Sequence, residues 1–214
     1  MTERQIAPYE KFLLTTSRDP SPRTRSFVRD LTRVIPWSFH FTRGSCSLKD
    51  VADELAILGI IRAMIVHERK GNPSRATFYK LVDGELIERD YRVRIKGITL
   101  ARELNRGRSV FTSESKFRVV NKCNSDFGEQ LYTMLSLFFD FNKERELPRI
   151  PDLKGIAVYF SDDEEGNIIL EFQQIETKEM IGPKIVISDV YLGKKGEAIR
   201  SLMKIIGLGS KSKG

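Results

Sequence analysis

The fold is decided by the segment FLLTTSRDPSPRTRSFVRDLTRVI, which spans residues 12–35. Its apolar start predicts a first β-strand over residues 9–16. The Ser-Arg-Asp-Pro stretch that follows is typical of a loop. Ser21 then offers a hydroxyl N-cap and Pro22 suits the first helical position, so we expect a helix that begins there and ends before Pro36. The segment therefore predicts a strand, a loop and a helix in immediate succession.

The same alternation continues to Asp83. Ser47 and Asp50 have the spacing of a capping box, and the helix that they begin should end at Gly59, because glycine favours the left-handed C-cap. Further strands and turns are predicted at residues 37–42, 60–67 and 76–82 and at Gly71-Asn72-Pro73 and Asp83-Gly84. The order β-α-β-α-β-β predicts an α/β layer structure.

The second part of the chain has a less regular pattern that mixes strands and helices in similar amounts. Strands are predicted over residues 91–95, 117–120, 155–160, 168–175 and 185–191. Helices are predicted over residues 98–104, from Asn124 or Ser125, and from about Lys195. We therefore expect the α/β class to hold along the whole chain.

Composition excludes several classes of protein. The two cysteines, Cys46 and Cys123, form no CxxC pair and indicate no disulfide framework, which favours a reducing compartment. The N-terminus lacks the apolar core of a signal peptide, and the apolar run at residues 131–141 is too short to span a bilayer. We expect a soluble protein inside the cell that has no membrane partner.

Positive charge is concentrated near the start of the chain. The net charge is +7 over 214 residues, and residues 1–83 hold 14 basic against 9 acidic side chains. Arginine dominates in that part, and guanidinium groups suit bidentate phosphate contacts and stacking on bases. A polyanionic partner is therefore expected.

The predicted first helix separates its apolar and basic residues. At 100° per residue, Phe27 and Leu31 lie on one side, whereas Arg25, Arg29 and Arg33 follow an i, i+4, i+8 spacing on the other. One side should pack on the sheet, and the other should present a row of guanidinium groups. A charged outer face is also the ordinary state of a solvated helix, and spacing alone does not separate these two explanations.

The sign of the charge favours a row of guanidinium groups that binds an anion over an ordinary solvated face. Residues 17–43 contain six arginines, no lysine and two aspartates, whereas a merely solvated face usually mixes both signs. Arg18 and Arg23 flank the helix N-terminus, whose backbone N–H groups and dipole attract anions. A second basic group, Arg69, Lys70 and Arg75, surrounds the predicted turn at Gly71. By itself this group is weak support, since a polar hairpin has the same composition.

Several of these stretches resemble the Brix-domain proteins. The opening signature of that family resembles LLTTSRDPS at residues 13–21 together with RTRSF at 23–27, in the branch of the small-subunit processome member. The further similar stretches are TRG at 42–44, IVHERKGNP at 65–73 and EMIGPK at 179–184. In the last stretch Ile181 intervenes and Lys184 stands where the family has arginine. The resemblance covers about residues 11–191.

The resemblance implies a single Brix domain over residues 1–214. Its two structurally similar halves, at about 9–89 and 90–207, would each be a mixed β-sheet with packed helices, resembling the anticodon-binding domain of class II aminoacyl-tRNA synthetases. Residues 208–214 would form a flexible tail. The chain lacks the long charged extensions of eukaryotic members, which implies an archaeal-type minimal version that is cytoplasmic rather than nucleolar.

The resemblance also implies a role in ribosome biogenesis. The expected partners are ribosomal RNA or small guide RNA, bound during pre-rRNA processing and subunit assembly, and other ribosome-assembly proteins. We predict an RNA-binding surface made of Arg18, Arg23, Arg25, Arg29, Arg33, Arg43, Arg69, Lys70, Arg75 and Lys184.

Motifs for catalysis are missing from the sequence. It has no GxxxxGK[ST] loop, no GxGxxG after a strand and no GxSxG elbow. His40 and His67 lie in predicted strands without metal-ligand spacing, and the acidic run at 162–165 is typical of a solvated hairpin tip. We expect no enzyme activity, no metal, no cofactor and no small-molecule substrate.

Two other functions stay open at this point. The chain could be an enzyme that holds a phosphorylated small molecule at the loop 17–25, although it lacks a credible nucleophile or base. It could also be a protein-interaction module that uses the exposed side of the last helix, which carries Lys195, Arg200 and Lys204. DNA binding is less favoured, since no recognition-helix motif is present.

Overall fold

A computed structural model describes residues 11–104, 117–139, 143–144, 147, 154–193 and 197–199. The helices are α1 (Pro22–Val34), α2 (Leu48–Leu58), α3 (Ala101–Leu104) and α4 (Asp126–Phe139). The strands are β1 (Phe12–Thr16), β2 (Ser38–His40), β3 (Arg62–Arg69), β4 (Asn72–Val82), β5 (Glu85–Thr99), β6 (Phe117–Asn121), β7 (Lys143–Glu144), β8 (Ile156–Asp162), β9 (Ile168–Gln174), β10 (Lys184–Leu192) and β11 (Glu197–Ala198).

All eleven strands belong to one mixed sheet. The order is β2-β1-β3-β4-β5-β10-β9-β8-β6-β7, and β11 pairs with β10. Strand β1 is parallel to β2 and β3, and β6 is parallel to β7 and β8, whereas the other neighbours are antiparallel. The predicted α/β class, with a mixed sheet and packed helices, is confirmed.

Local signals place the first two helices where the sequence predicts them. The Ser21 hydroxyl accepts from the Thr24 amide, and α1 begins at Pro22. In α2, Ser47 and Asp50 form the predicted capping box, and Gly59 ends the helix with a φ of 64°. These caps satisfy backbone groups that a helix end otherwise leaves without partners.

Different helices pack on the two faces of the sheet. The inner face, which carries Phe12, Met64 and Phe78, forms one continuous apolar core with α1 and α4. The outer face carries Leu13 and Ile65, and α2 covers it over β1, β3 and β4. Helix α2 also contacts the start of β5, where Leu86 packs against the same cluster, whereas Arg94 and Lys96 farther along β5 are exposed.

The hairpin between β3 and β4 differs from its prediction. The turn is formed by Lys70 and Gly71, with φ angles of 53° and 79°, whereas Asn72 and Pro73 already belong to β4. A register shift next to Glu68 sets this residue opposite Pro73. Such a bulge removes the need for the amide that proline lacks.

The later part of the chain shows three further differences. Strand β5 begins at Glu85, six residues before the predicted strand, because this stretch pairs with β4 across the Asp83-Gly84 turn. The helix predicted over residues 98–104 is reduced to α3, since residues 98–99 remain in β5. The last predicted helix is wrong at its start, where residues 197–198 form β11. Residue 199 is helical as predicted, and the rest of this helix and the predicted tail lie outside the described residues.

Candidate nucleic-acid interface

The outer side of α1 presents the predicted arginine row. Arg25, Arg29 and Arg33 are exposed, while the opposite side of the helix is buried. The Arg25 guanidinium donates to the Pro20 carbonyl at 2.8 Å, which orients it near the start of the helix. Arg33 lies 3.6 Å from the nearly buried carboxylate of Asp30, so its charge is partly balanced.

Arg18 and Arg43 meet at one backbone carbonyl. Both guanidiniums donate to the Cys46 oxygen, at 3.3 Å and 2.9 Å respectively. Arg18 is exposed, whereas Arg43 is 8% exposed. Burial and the nearby charge of Arg18 lower the pKa of Arg43. Of the two, only Arg18 is accessible to a large ligand, and Arg43 contributes to the loop beneath it.

Arg23 is engaged inside the protein. Its two terminal guanidinium nitrogens donate to the Glu103 carboxylate, and one of them also donates to the Ile98 carbonyl at 3.1 Å. The hydrogen bond from Arg23 lowers the pKa of Glu103, which keeps the carboxylate charged. Arg23 therefore joins α1 to α3 and adds little to an exposed cationic surface.

The anion position at the start of α1 is filled by the protein itself. The Glu68 carboxylate of β3 accepts from the Ser21 amide at 2.7 Å and from the Thr24 hydroxyl at 2.8 Å. Burial would raise the pKa of Glu68, but its hydrogen bonds with Ser21 and Thr24 and the nearby charge of Arg25 together hold the pKa below its usual value. A charged carboxylate thus takes the place expected for a phosphate, which argues against the alternative of a small-molecule phosphate site at residues 17–25.

The β3–β4 hairpin carries the second predicted basic group. Arg69, Lys70 and Arg75 are all exposed and line an open groove of about 980 Å³ on the outer face. The Ser21 hydroxyl of the α1 cap donates to the Gly71 carbonyl at 2.8 Å, so the hairpin and the arginine row share a boundary. The structure thus brings these two predicted groups together.

Lys184 occupies a different position. It begins β10, and its ammonium lies 3.0 Å from the Glu171 carboxylate. Thr99 is its partner in the neighbouring strand. Lys184 is not among the side chains that line the groove, and its charge is balanced locally.

Sequence reasoning missed the residues that complete the groove. Arg94 and Lys96 of β5 and Tyr191 of β10 lie on its other wall. Basic residues alternate with buried apolar ones at Val93 and Ile95. This period of two was a signal in the sequence, because it predicts a basic stripe on one face of a strand.

His67 lies beside the groove and is held neutral. Its ring is 2.9 Å from the Thr77 hydroxyl, and burial, followed by the charge of Arg75, lowers the pKa of His67 to about 4. Arg43 and Arg92 lower it further, whereas Glu88 opposes them.

We expect the folded protein to lose stability between pH 6.5 and pH 4 through His67. The unfolded chain binds a proton at this histidine near pH 6.5, and the folded chain resists it down to about pH 4. Allowing for partial solvation, the loss should be on the order of 1–2 kcal/mol. Urea unfolding of wild type and His67→Gln at several pH values measures it. The variant should lose less stability than wild type or His40→Gln over this range, and equal losses would contradict the assignment.

Other ionisable groups give no sign of a reactive centre. Burial raises the pKa of the Cys123 thiol to about 12, so this thiol stays protonated. Among the residues that the structure describes, no three His, Cys, Asp or Glu side chains come together to hold a metal ion. None of the helices within the described ranges has the length and apolarity needed to cross a bilayer.

Comparison with known proteins identifies relatives in several archaea. The chain is 44% identical over 90 residues to a protein of Aeropyrum pernix named "Probable Brix domain-containing ribosomal biogenesis protein", a match that covers 42% of this chain and 50% of the relative. A protein of the same name in Saccharolobus solfataricus is 35% identical over 95 residues, which are 44% of this chain and 54% of the relative. The chain spans about half the length of the curated relatives that it matches.

Solved structures show the same fold over more of the chain. The crystal structure of a probable ribosomal biogenesis protein from Aeropyrum pernix matches with a TM-score of 0.68 and 27% identity, covering 83% of this chain and 95% of the other. Mil, an archaeal Imp4-like protein, matches with a TM-score of 0.59 and 25% identity over 85% of this chain and 99% of the other. No protein-family model matches the chain. The relatives confirm the resemblance that the sequence predicts.

Proposed function

We propose that this chain, a homologue of the archaeal Brix domain-containing ribosomal biogenesis proteins, is an assembly factor that binds structured ribosomal RNA or a small guide RNA during pre-rRNA processing. The observation that carries the proposal is that exposed cations occur both along α1 and on the β3–β4 hairpin, and that the hydrogen bond from Ser21 to Gly71 joins the hairpin to the start of α1. Other assembly proteins would be its further partners, and the cytoplasm its location. The archaeal relatives support this reading of the chain's role.

The contact surface that we propose is smaller than the predicted set. Its members are exposed and lie in the loop before α1, along α1 and on the hairpin, and they are Arg18, Arg25, Arg29, Arg33, Arg69, Lys70 and Arg75. Arg23, Arg43 and Lys184 are engaged within the protein, so we assign them to holding its shape. Each exposed guanidinium can form a paired hydrogen bond with a phosphate, which suits the closely spaced charges of folded RNA.

We also propose that the domain consists of two similar halves, as in the anticodon-binding domain that the sequence resemblance implies. The strand order supports this, because it reads β2-β1-β3-β4-β5 from one edge and β7-β6-β8-β9-β10 from the other. The directions of neighbouring strands also agree between the two series. Strand β5, which pairs with β10, runs across the boundary expected near residues 89–90. The RNA surface would then belong mainly to the first half.

The test removes the α1 row. In the triple variant Arg25→Ala, Arg29→Ala, Arg33→Ala, we expect affinity for a labelled ribosomal RNA hairpin to fall roughly tenfold at physiological salt. The slope of log K against log salt should flatten by about 2, since each lost phosphate contact removes roughly 0.7–0.9. Fluorescence anisotropy over a potassium chloride series measures both quantities.

The matched control removes the same charge elsewhere. Three exposed lysines lie outside the proposed surface, namely Lys80, Lys154 and Lys178. Their triple alanine variant should retain most of the RNA affinity, and its slope of log K against log salt should be steeper than that of the α1 variant. Circular dichroism establishes that both variants are folded. A folded α1 variant that binds RNA like the control would overturn the proposed surface, and a wild type without salt-dependent RNA binding would overturn the function.

A further inference from the structure

The groove on the outer face contains two arginines in direct opposition. Arg75 of β4 and Arg94 of β5 are cross-strand partners, and both side chains are exposed. Like charges at such positions repel each other and destabilise a sheet. Within the described part of the chain, neither guanidinium forms an ion pair, and Arg94 donates only to the neutral Tyr191 hydroxyl, at 3.0 Å. On its other side Arg94 has Asp189 of β10 as its cross-strand partner, which offsets part of this repulsion, and an anion bound in the groove would relieve the remainder.

Further cations surround this pair. Arg69 and Lys70 lie at the hairpin end of the groove, and Lys96 lies next to it on β5. Acidic side chains nearby include Glu165, which pairs with Lys96, Asp163, which accepts from Asn167, and Asp189, which lies opposite Arg94 on β10. The residues that line the groove themselves include five cations and one carboxylate, Glu68, so the lining carries a net positive charge.

We propose that this groove is a second RNA-binding site, in which Arg75 and Arg94 clamp one backbone phosphate. This inference rests on the proposed function and extends it from the α1 row to the outer face of the sheet. Two guanidiniums side by side present paired donors that match the oxygens of a phosphate. Tyr191 is a positioning residue, because its hydroxyl holds the Arg94 guanidinium over the groove.

Nucleic acid fits the groove better than a protein partner does. The cores of protein interfaces are depleted in charged residues, and lysine in particular is rare there, whereas this groove is lined by several lysines and arginines. Its hairpin wall also forms the edge of the α1 surface, through the hydrogen bond from Ser21 to Gly71. An RNA that extends from the start of α1 around the hairpin would therefore reach the groove.

The experiment compares Arg75→Ala, Arg94→Ala with the control Lys154→Ala, Lys178→Ala, which removes the same charge outside the groove. We expect the groove variant to bind the RNA hairpin roughly tenfold more weakly, and its salt slope to be flatter by about 1.5. Because it removes a repulsion, the groove variant should unfold at a urea concentration no lower than that of wild type. Tyr191→Phe should weaken binding less than the double variant.

The outcomes separate this inference from the function on which it rests. If the α1 triple variant loses affinity while the groove variant binds like the control, the groove site is wrong and the function stands. Poly-glutamate serves as a second probe. Loss of poly-glutamate binding with unchanged RNA binding would assign the groove to an acidic protein and overturn the proposal. Loss of RNA affinity in a folded, equally stable groove variant supports it.

Discussion

Replacement of Phe78 by alanine is expected to lower the free energy of unfolding by about 3–5 kcal/mol. The Phe78 ring is 1% exposed and lies at the centre of the inner face. Its centroid is 4.7 Å from that of Phe138 and 5.1 Å from that of Tyr91, so it joins β4 to α4 and β5. The truncation would remove these edge and face contacts and leave a cavity among rigid neighbours.

Chemical denaturation with a matched truncation checks this result. Phe39 of β2 is 39% exposed at the edge of the sheet, and Phe39→Ala should cost less than about 1 kcal/mol. The two variants remove the same atoms, so the difference between them isolates the effect of burial. Equal midpoints for Phe78→Ala and Phe39→Ala would contradict the central place of Phe78 in the core.

The substitution Gly128→Ala is expected to cost about 2–3 kcal/mol, although alanine favours helices by roughly 1 kcal/mol over glycine. A Cβ atom at Gly128 would lie 2.3 Å from the Cys123 Cβ and 2.6 Å from its Sγ. The Cys123 Cβ is fixed by the backbone, and the Gly128 amide is held by the Ser125 hydroxyl at 3.0 Å. The overlap can therefore be relieved only by moving the start of α4.

Gly97→Ala is the matched control for this variant. Nothing lies within 4 Å of a Cβ built at Gly97 in β5, so this change should leave stability within about 0.5 kcal/mol of wild type. Thermal unfolding of the two variants at one pH decides the comparison. A Gly128→Ala protein as stable as Gly97→Ala would show that the close approach of α4 to Cys123 does not occur.

The elements that the sequence predicted best have their stabilising contacts close together along the chain. Ser21 and Pro22 define the start of α1, and Ser47, Asp50 and Gly59 define both ends of α2, each through partners within a few residues. Four of the first six residues of β5, at 85–90, are charged, and this stretch lacks the apolar alternation of a strand. They form one because β4 supplies backbone partners, which no local pattern reveals.

The candidate site likewise combines features that depend on nearby residues with features that depend on residues far apart in the chain. Helical spacing predicted the exposed arginine row, since it depends only on the period of α1. The role of Glu68 could not be predicted in this way, because it follows Ser21 by 47 residues. The pairing of Arg23 with Glu103 spans 80 residues and removes one predicted contact from the surface. The opposition of Arg75 and Arg94 depends on the register of β4 and β5, which a sequence pattern leaves undetermined.

The carboxylate that caps α1 has a consequence for the proposed contact with RNA. Because Glu68 belongs to β3, its hydrogen bonds to Ser21 and Thr24 link the helix start to the hairpin. The exposed guanidiniums on either side of Glu68 would then stay at fixed distances from one another. An RNA backbone whose phosphates match these distances would bind without the entropic cost of ordering the protein. A backbone with a different distance between phosphates would have to bend. Inorganic phosphate has a single charged centre, so the fixed distances between these guanidiniums would not raise its affinity.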